Sequence, residues 1–133
     1  MYEIAKTFTF SASHRLAGLP DGHKCRRLHG HNYTVQIRLS ADDLDDHGFV
    51  ADFAELDRAA RWLRENLDHR HLNDVMDGPP TSERIAAMVF KQCAASLPGR
   101  SRLHLSAVRV AETATTWAEY RPAATAPKTE PGR

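Results

Sequence analysis

The chain has 133 residues, 41% of them hydrophobic and 26% charged, a size and balance that fit one compact domain with a modest core and argue against a disordered chain or a second domain. A formal net charge of +1 with neutral histidines leaves no broad basic field for nucleic acid or a membrane surface, although a local cluster such as Lys24, Arg26 and Arg27 could meet a small anion. No basic leader precedes a long apolar run, and nowhere do about 18 apolar residues follow one another, so a soluble, cytoplasmic protein is expected. Cys25 and Cys93 read as separate reduced thiols rather than a disulfide framework.

Residues 2–10 alternate Tyr2, Ile4, Phe8 and Phe10 with Glu3, Thr7 and Thr9, Lys6 being the one break on the apolar face; this pattern predicts a strand. If it stays extended through Ala12, His14 shares the inward parity of Phe8 and Phe10. Pro20, Asp21 and Gly22 mark a loop, and Tyr33, Val35, Ile37 and Leu39 then give the cleanest two-residue period in the chain, with His29 and His31 on the same parity. Asp52 followed by Glu55 resembles a capping box, and Phe53, Leu56, Ala60, Leu63 and Leu67 predict an amphipathic helix of roughly four turns. Residues 68–77 are polar and hold His69 and His71, and Gly78, Pro79 and Pro80 break regular structure. Thr81 caps a second helix, with Glu83 in its first turn and Ile85, Val89 and Cys93 along one face. Pro98 and Gly99 stop it. Residues 107–111 read as a buried strand in which Val108, Val110 and Glu112 share parity, residues 116–121 as a last short strand, and the proline-rich stretch from 122 onward as a disordered tail. The order predicts an α+β domain over residues 1–121: a four-stranded antiparallel sheet with two helices on one face.

Zinc takes nitrogen and sulfur ligands tetrahedrally, and a catalytic site commonly keeps three protein ligands and one open position. His14, His29 and His31 meet that count, with Gly30 removing bulk where two imidazoles converge. His47, in a turn, and His104, near a strand start, read as solvent-facing. Cys25 has two roles open to it: a fourth ligand closing a structural site, or a thiolate beside the metal, favoured by the neighbouring cations. Cys93 reads as a small buried hydrophobe. Asp68 and His69 could form an acid and imidazole pair in which the carboxylate orients the ring, or serve only as surface or capping residues. Glu112 on an inward parity needs a partner, and its two oxygens suit a cyclic amidine or guanidine-like edge.

FSASHRL at 10–16, DGHKCRRLHGH at 21–31, LDHRHLND at 67–74, PTSE at 80–83 and VAET at 110–113 resemble the 6-pyruvoyltetrahydropterin synthase superfamily. Within it they are most similar to the bacterial 6-carboxy-5,6,7,8-tetrahydropterin synthase branch of the queuosine pathway, which the three residues between Cys25 and His29 favour. The resemblance implies the tunnelling fold (T-fold), whose sheets join across subunits into a barrel, usually as a homohexamer of two trimers with active sites between subunits. It implies His14, His29 and His31 as zinc ligands, Cys25 as proton acceptor, Asp68 and His69 as relay, and Glu112 as the anchor of the pterin ring. The implied reaction converts 7,8-dihydroneopterin triphosphate to 6-carboxytetrahydropterin, acetaldehyde and triphosphate, with Lys24 and Arg27 near the triphosphate. The rivals are a 6-pyruvoyltetrahydropterin synthase, a zinc hydrolase working through metal-bound water, and a non-catalytic domain in which Cys25 closes a structural zinc site.

Overall fold

Two long strands organise the molecule. β1 (Tyr2–His14) and β2 (His29–Ala41) pair antiparallel along their whole length, from Tyr2 opposite Ala41 to His14 opposite His29. The computed structural model describes residues 1–97 and 102–123. Side chains alternate across a strand, so Phe10, Ala12 and His14 of β1 are buried on the same face as Tyr33, Val35, Ile37 and Leu39 of β2, as their parity predicts. Ser11, Ser13, Gly30 and Asn32 take the opposite parity. Lys6, the break in the apolar pattern, reaches across to Asp57 at 2.6 Å.

The four-stranded antiparallel expectation needs correction. The sheet is five-stranded and mixed, in the order β3-β1-β2-β4-β5. β4 (His104–Ala111) lies antiparallel to β2, with an irregularity at Arg38 and Leu39, and β5 (Ala118–Tyr120) lies antiparallel to β4. The extra strand is β3 (Arg70–His71), parallel to Ala12 and Ser13 of β1. Two residues carry no period, so β3 leaves no pattern to read; it is held beside β1 by the His69 N–H, donated to the Ser11 carbonyl across 2.6 Å. Among the described residues, 2–10 of β1 have no strand partner on that outer edge.

The first helix is also shorter than its pattern. Phe53–Leu56 forms a 3-10 turn, with the Asp52 carboxylate accepting the Ala54 N–H at 2.9 Å, and α1 (Asp57–Asn66) follows. Three residues per turn break the 3.6-residue phase. The buried stripe therefore runs Leu56, Ala59, Leu63 and Leu67, and Phe53 is left 52% exposed. A single turn, α2 (Leu72–Val75), precedes α3 (Ser82–Ser96). Thr81 Oγ1 caps α3 by accepting the Arg84 N–H at 3.3 Å, and Ile85, Ala86, Val89 and Cys93 enter the core with the sheet's apolar face. No helix among the described residues is long and apolar enough to cross a membrane. The expected stop at Pro98 and Gly99 and the tail beyond Ala123 lie outside the described residues.

Candidate active site and metal centre

Pairing His14 with His29 brings the end of β1 against the start of β2, and His31, two residues on, shares the face. One ring nitrogen from each of the three lies within 4.8 Å of the others. His14 is 1% exposed. Its Nδ1 faces the Pro80 carbonyl at 2.8 Å, and His29 Nδ1 faces the Arg27 carbonyl at 2.6 Å. A carbonyl can only accept, so both Nδ1 atoms carry a proton, which in the neutral imidazole leaves the lone pair on Nε2. Yet those two Nε2 atoms stand 2.9 Å apart. Two lone pairs at that distance repel unless a cation lies between or beside them.

His31 completes the argument. Its Nε2 is buried with no hydrogen-bond partner, a costly state that a metal ion removes. Burial lowers its pKa first, against the raising effect of Glu112 and with the help of His14 and His29, so the ring is neutral and able to ligate. A tetrahedral zinc site sets its nitrogen ligands about 3.4 Å apart, within the spread seen here. The three imidazoles fit such an ion with one position open. Cys25 lies outside the group, so the closed four-ligand arrangement is not formed.

Glu112 follows β4 directly and keeps the parity of Val108 and Val110; its Oε2 stands 3.8 Å from His31 Nε2. Burial first, and then the charge of Glu112, pushes the Tyr33 hydroxyl up; the oxygen of that hydroxyl stands 3.3 Å from His14 Nδ1 as a second acceptor beside the Pro80 carbonyl. Gly30 does not serve the purpose expected of it. A Cβ there would meet only the Ala12 carbonyl oxygen, at 3.4 Å, and no imidazole, because Gly30 faces away from the metal group.

Asp68 and His69 do meet. His69 adopts φ 58°, the one positive φ outside glycine among the described residues, and this left-handed kink lets neighbouring side chains turn toward each other. Asp68 Oδ1 lies 3.0 Å from His69 Nδ1 and also accepts the Ser11 N–H at 2.9 Å. The Ser11 bond, then opposed by burial and supported by His69, holds the Asp68 carboxyl below the usual carboxylate range. As a carboxylate it accepts from Nδ1–H, leaving His69 Nε2 outward on a ring that is 83% exposed. His69 and His31 line one open cleft of about 480 Å³, floored by Ser11, Ser13 and Gly30; Cys25 and Glu112 are not part of its lining.

Cys25 sits half-buried in a 3-10 turn (Lys24–Arg26). Arg26 is spent on that loop: its Nη1 donates to the Ala17 and Leu19 carbonyls at 3.2 and 2.8 Å and lies 3.3 Å from Asp21. It is thus a staple, which corrects its reading as part of an anion-binding cluster. His47 and His104 are exposed, as expected. Burial pushes the Cys93 thiol up to about 11, which fits a core residue and no reactive one.

Residues 3–123 match the 6-pyruvoyl tetrahydropterin synthase family. The chain belongs to this family. Two relatives of the 6-pyruvoyl tetrahydropterin synthase family carry the name 6-carboxy-5,6,7,8-tetrahydropterin synthase. The one from Synechocystis sp. is 40% identical over 127 residues, covering 90% of this chain and 93% of that protein. The one from Bacillus subtilis is 34% identical over 129 residues, covering 91% and 86%. The structure of Caenorhabditis elegans 6-pyruvoyl tetrahydropterin synthase superposes with a TM-score of 0.78 at 27% identity, covering 91% of this chain and 95% of that one. Membership in the 6-pyruvoyl tetrahydropterin synthase family makes the chain an enzyme, as its motifs imply. Three supporting groups escape a sequence reading. The carbonyl of Pro80 and the backbone of Ser11 act through atoms that every residue has and leave no signal. His23, whose Nδ1 accepts the Cys25 N–H at 3.1 Å, does leave one: a side-chain acceptor two residues before the thiol.

Proposed function

We propose that the chain converts 7,8-dihydroneopterin triphosphate and water to 6-carboxy-5,6,7,8-tetrahydropterin, acetaldehyde and triphosphate, as a zinc-dependent step of queuosine biosynthesis in the cytoplasm. It is a 6-carboxytetrahydropterin synthase, the activity its relatives are named for. The observation that carries the metal-dependent reading is the convergence of three imidazole nitrogens, two of them on rings whose Nδ1–H is pinned outward on a backbone carbonyl.

His14, His29 and His31 hold the ion, which when bound supplies Lewis-acid polarisation of the substrate's side-chain oxygens. Glu112 grips the amidine edge of the pterin with its two oxygens and so fixes the ring's reach toward the imidazoles. Cys25, as thiolate, takes a proton from the side-chain carbon. His69 returns protons from Nε2 while Asp68 holds Nδ1 and steadies the ring as its charge changes. With Arg26 committed to its loop, Lys24 and Arg27 meet the triphosphate.

The working form is a homohexamer of two trimers, its sheets joined into the barrel of the T-fold. The unpartnered outer edge of β1 supports this, since an open strand edge is a template for pairing. So does the separation of Cys25 from the cleft that holds His69 and His31: a neighbouring subunit brings the missing member to each site.

Incubating the zinc-loaded protein with dihydroneopterin triphosphate and identifying both fragments tests the proposal. Acetaldehyde and a carboxylated tetrahydropterin are expected. Release of triphosphate with all side-chain carbons retained would replace this reading by pyruvoyl synthesis, and no turnover at all would remove both.

A further inference from the structure

The turn that presents Cys25 is a weakly founded element. It spans three residues, none of them buried, so packing does little to hold it. Its hold comes from hydrogen bonds. The Cys25 carbonyl accepts the Leu16 N–H at 2.9 Å, and Arg26 staples the following peptide to the Ala17 and Leu19 carbonyls. On the N-terminal side the Asp21 carboxylate lies 3.3 Å from Arg26 Nη1 and the His23 carbonyl accepts the Arg26 N–H at 3.1 Å, while the Cys25 N–H itself is held by the side chain of His23, in the cap position with an extended backbone (φ −68°, ψ 127°), its Nδ1 accepting at 3.1 Å. With both its N–H and its carbonyl fastened, Cys25 has its Cα–Cβ direction set. An imidazole is an uncommon cap; serine, threonine, aspartate and asparagine are the usual ones.

We propose that His23 is a positioning residue for Cys25, its Nδ1 holding the turn that aims the thiol. The inference deepens the reading of Cys25 as proton acceptor and rests on it. What the turn requires is an acceptor at that place, which the Asn side chain also offers, whereas Ala offers none.

The test uses the full-length, zinc-loaded protein and its His23→Ala and His23→Asn variants. Steady-state turnover is measured alongside the rate of iodoacetamide alkylation at Cys25, read by peptide mass, with buried Cys93 as internal control. His23→Ala should lower kcat about three- to tenfold with KM unchanged, the range set by loss of a cap. It should also speed alkylation of Cys25 about threefold as the turn opens, with zinc content and Tm retained. His23→Asn should restore both rates to within about twofold of the parent. If His23→Ala matches the parent in both rates, or if His23→Asn is as impaired as His23→Ala, the inference is wrong. A Cys25→Ala control separates the two claims: should it keep full turnover, the proton-acceptor reading falls, while the alkylation rates still decide whether His23 holds the turn.

Discussion

Ser11 gives its backbone N–H to Asp68 Oδ1 across 2.9 Å, and this bond is the largest influence keeping the Asp68 carboxyl ionised below the usual range. Because the folded value is depressed, the stability it contributes is fully present above the ordinary aspartate range and is lost as pH falls through the lower folded value. Asp68→Asn removes the charge while leaving an oxygen for Ser11. We expect kcat to fall by about a hundredfold or more, since His69 loses the carboxylate that steadies its protonated form. The same variant should show a flatter decline of Tm between neutral and acid pH than the parent, read by calorimetry.

Zinc should stabilise the fold measurably. The ion relieves the opposed lone pairs of His14 and His29 and the orphaned Nε2 of His31, none of which it can do in the unfolded chain. A free metal concentration a hundred times Kd corresponds to about 2.7 kcal/mol. Chelator-treated protein should therefore melt several degrees lower than zinc-loaded protein, and His29→Ala should abolish stoichiometric zinc binding by metal analysis. A Tm indifferent to zinc would count against the site.

Cys25→Ala should keep both zinc and fold and lose turnover. The thiol stands apart from the three imidazoles and its turn contains no buried residue, so its removal leaves no cavity in the core. Loss of metal together with unfolding would return Cys25 to the role of structural ligand.

Glu119 offers a test away from the metal. Its side chain is 6% exposed and meets three guanidiniums: Arg109 Nε at 3.1 Å, Arg38 Nη1 at 3.5 Å and Arg121 Nε at 2.6 Å. Burial alone would raise this carboxyl, but the hydrogen bonds from Arg121 and Arg109 and the charge of Arg38 outweigh it and hold the pKa down. Its contribution is present above the ordinary glutamate range and disappears as pH drops through the depressed folded value. Glu119→Gln should cost about 2 kcal/mol or more in urea unfolding at neutral pH, because three cations lose their shared counter-charge, and less at acid pH. Arg109, stacked 3.6 Å over the Trp117 ring, keeps one partner, so the loss should stop short of unfolding.

The long strands were legible because a two-residue period repeated over many positions leaves little freedom: Tyr33, Val35, Ile37 and Leu39 could bury only one face, and His14, His29 and His31 travel with it. Thr81 as a cap and Cys93 as a core residue were legible for similarly local reasons. What stayed hidden depends on partners distant in sequence. β3 exists because His69 and Ser11 share a backbone bond 58 residues apart in their surroundings, as the Ser13 to His71 hydrogen bond also shows. Phe53 left its predicted stripe because one turn wound more tightly. Gly30 misled because its parity, opposite to that of the histidines on either side, was outweighed by their closeness in sequence.

The kink at His69 narrows which residues could ever occupy that place. A left-handed backbone is strained for most side chains, and asparagine, aspartate and histidine are the non-glycine residues that enter it most readily. Of these, histidine alone exchanges a proton near neutral pH. Glutamate, lysine or cysteine, each able to move protons elsewhere, would have to bear the backbone strain as well, about 1–2 kcal/mol. Under the proposed mechanism, backbone geometry and acid-base chemistry therefore select the same amino acid independently, and exchanging that histidine for another proton carrier at position 69 requires rebuilding the turn that holds it.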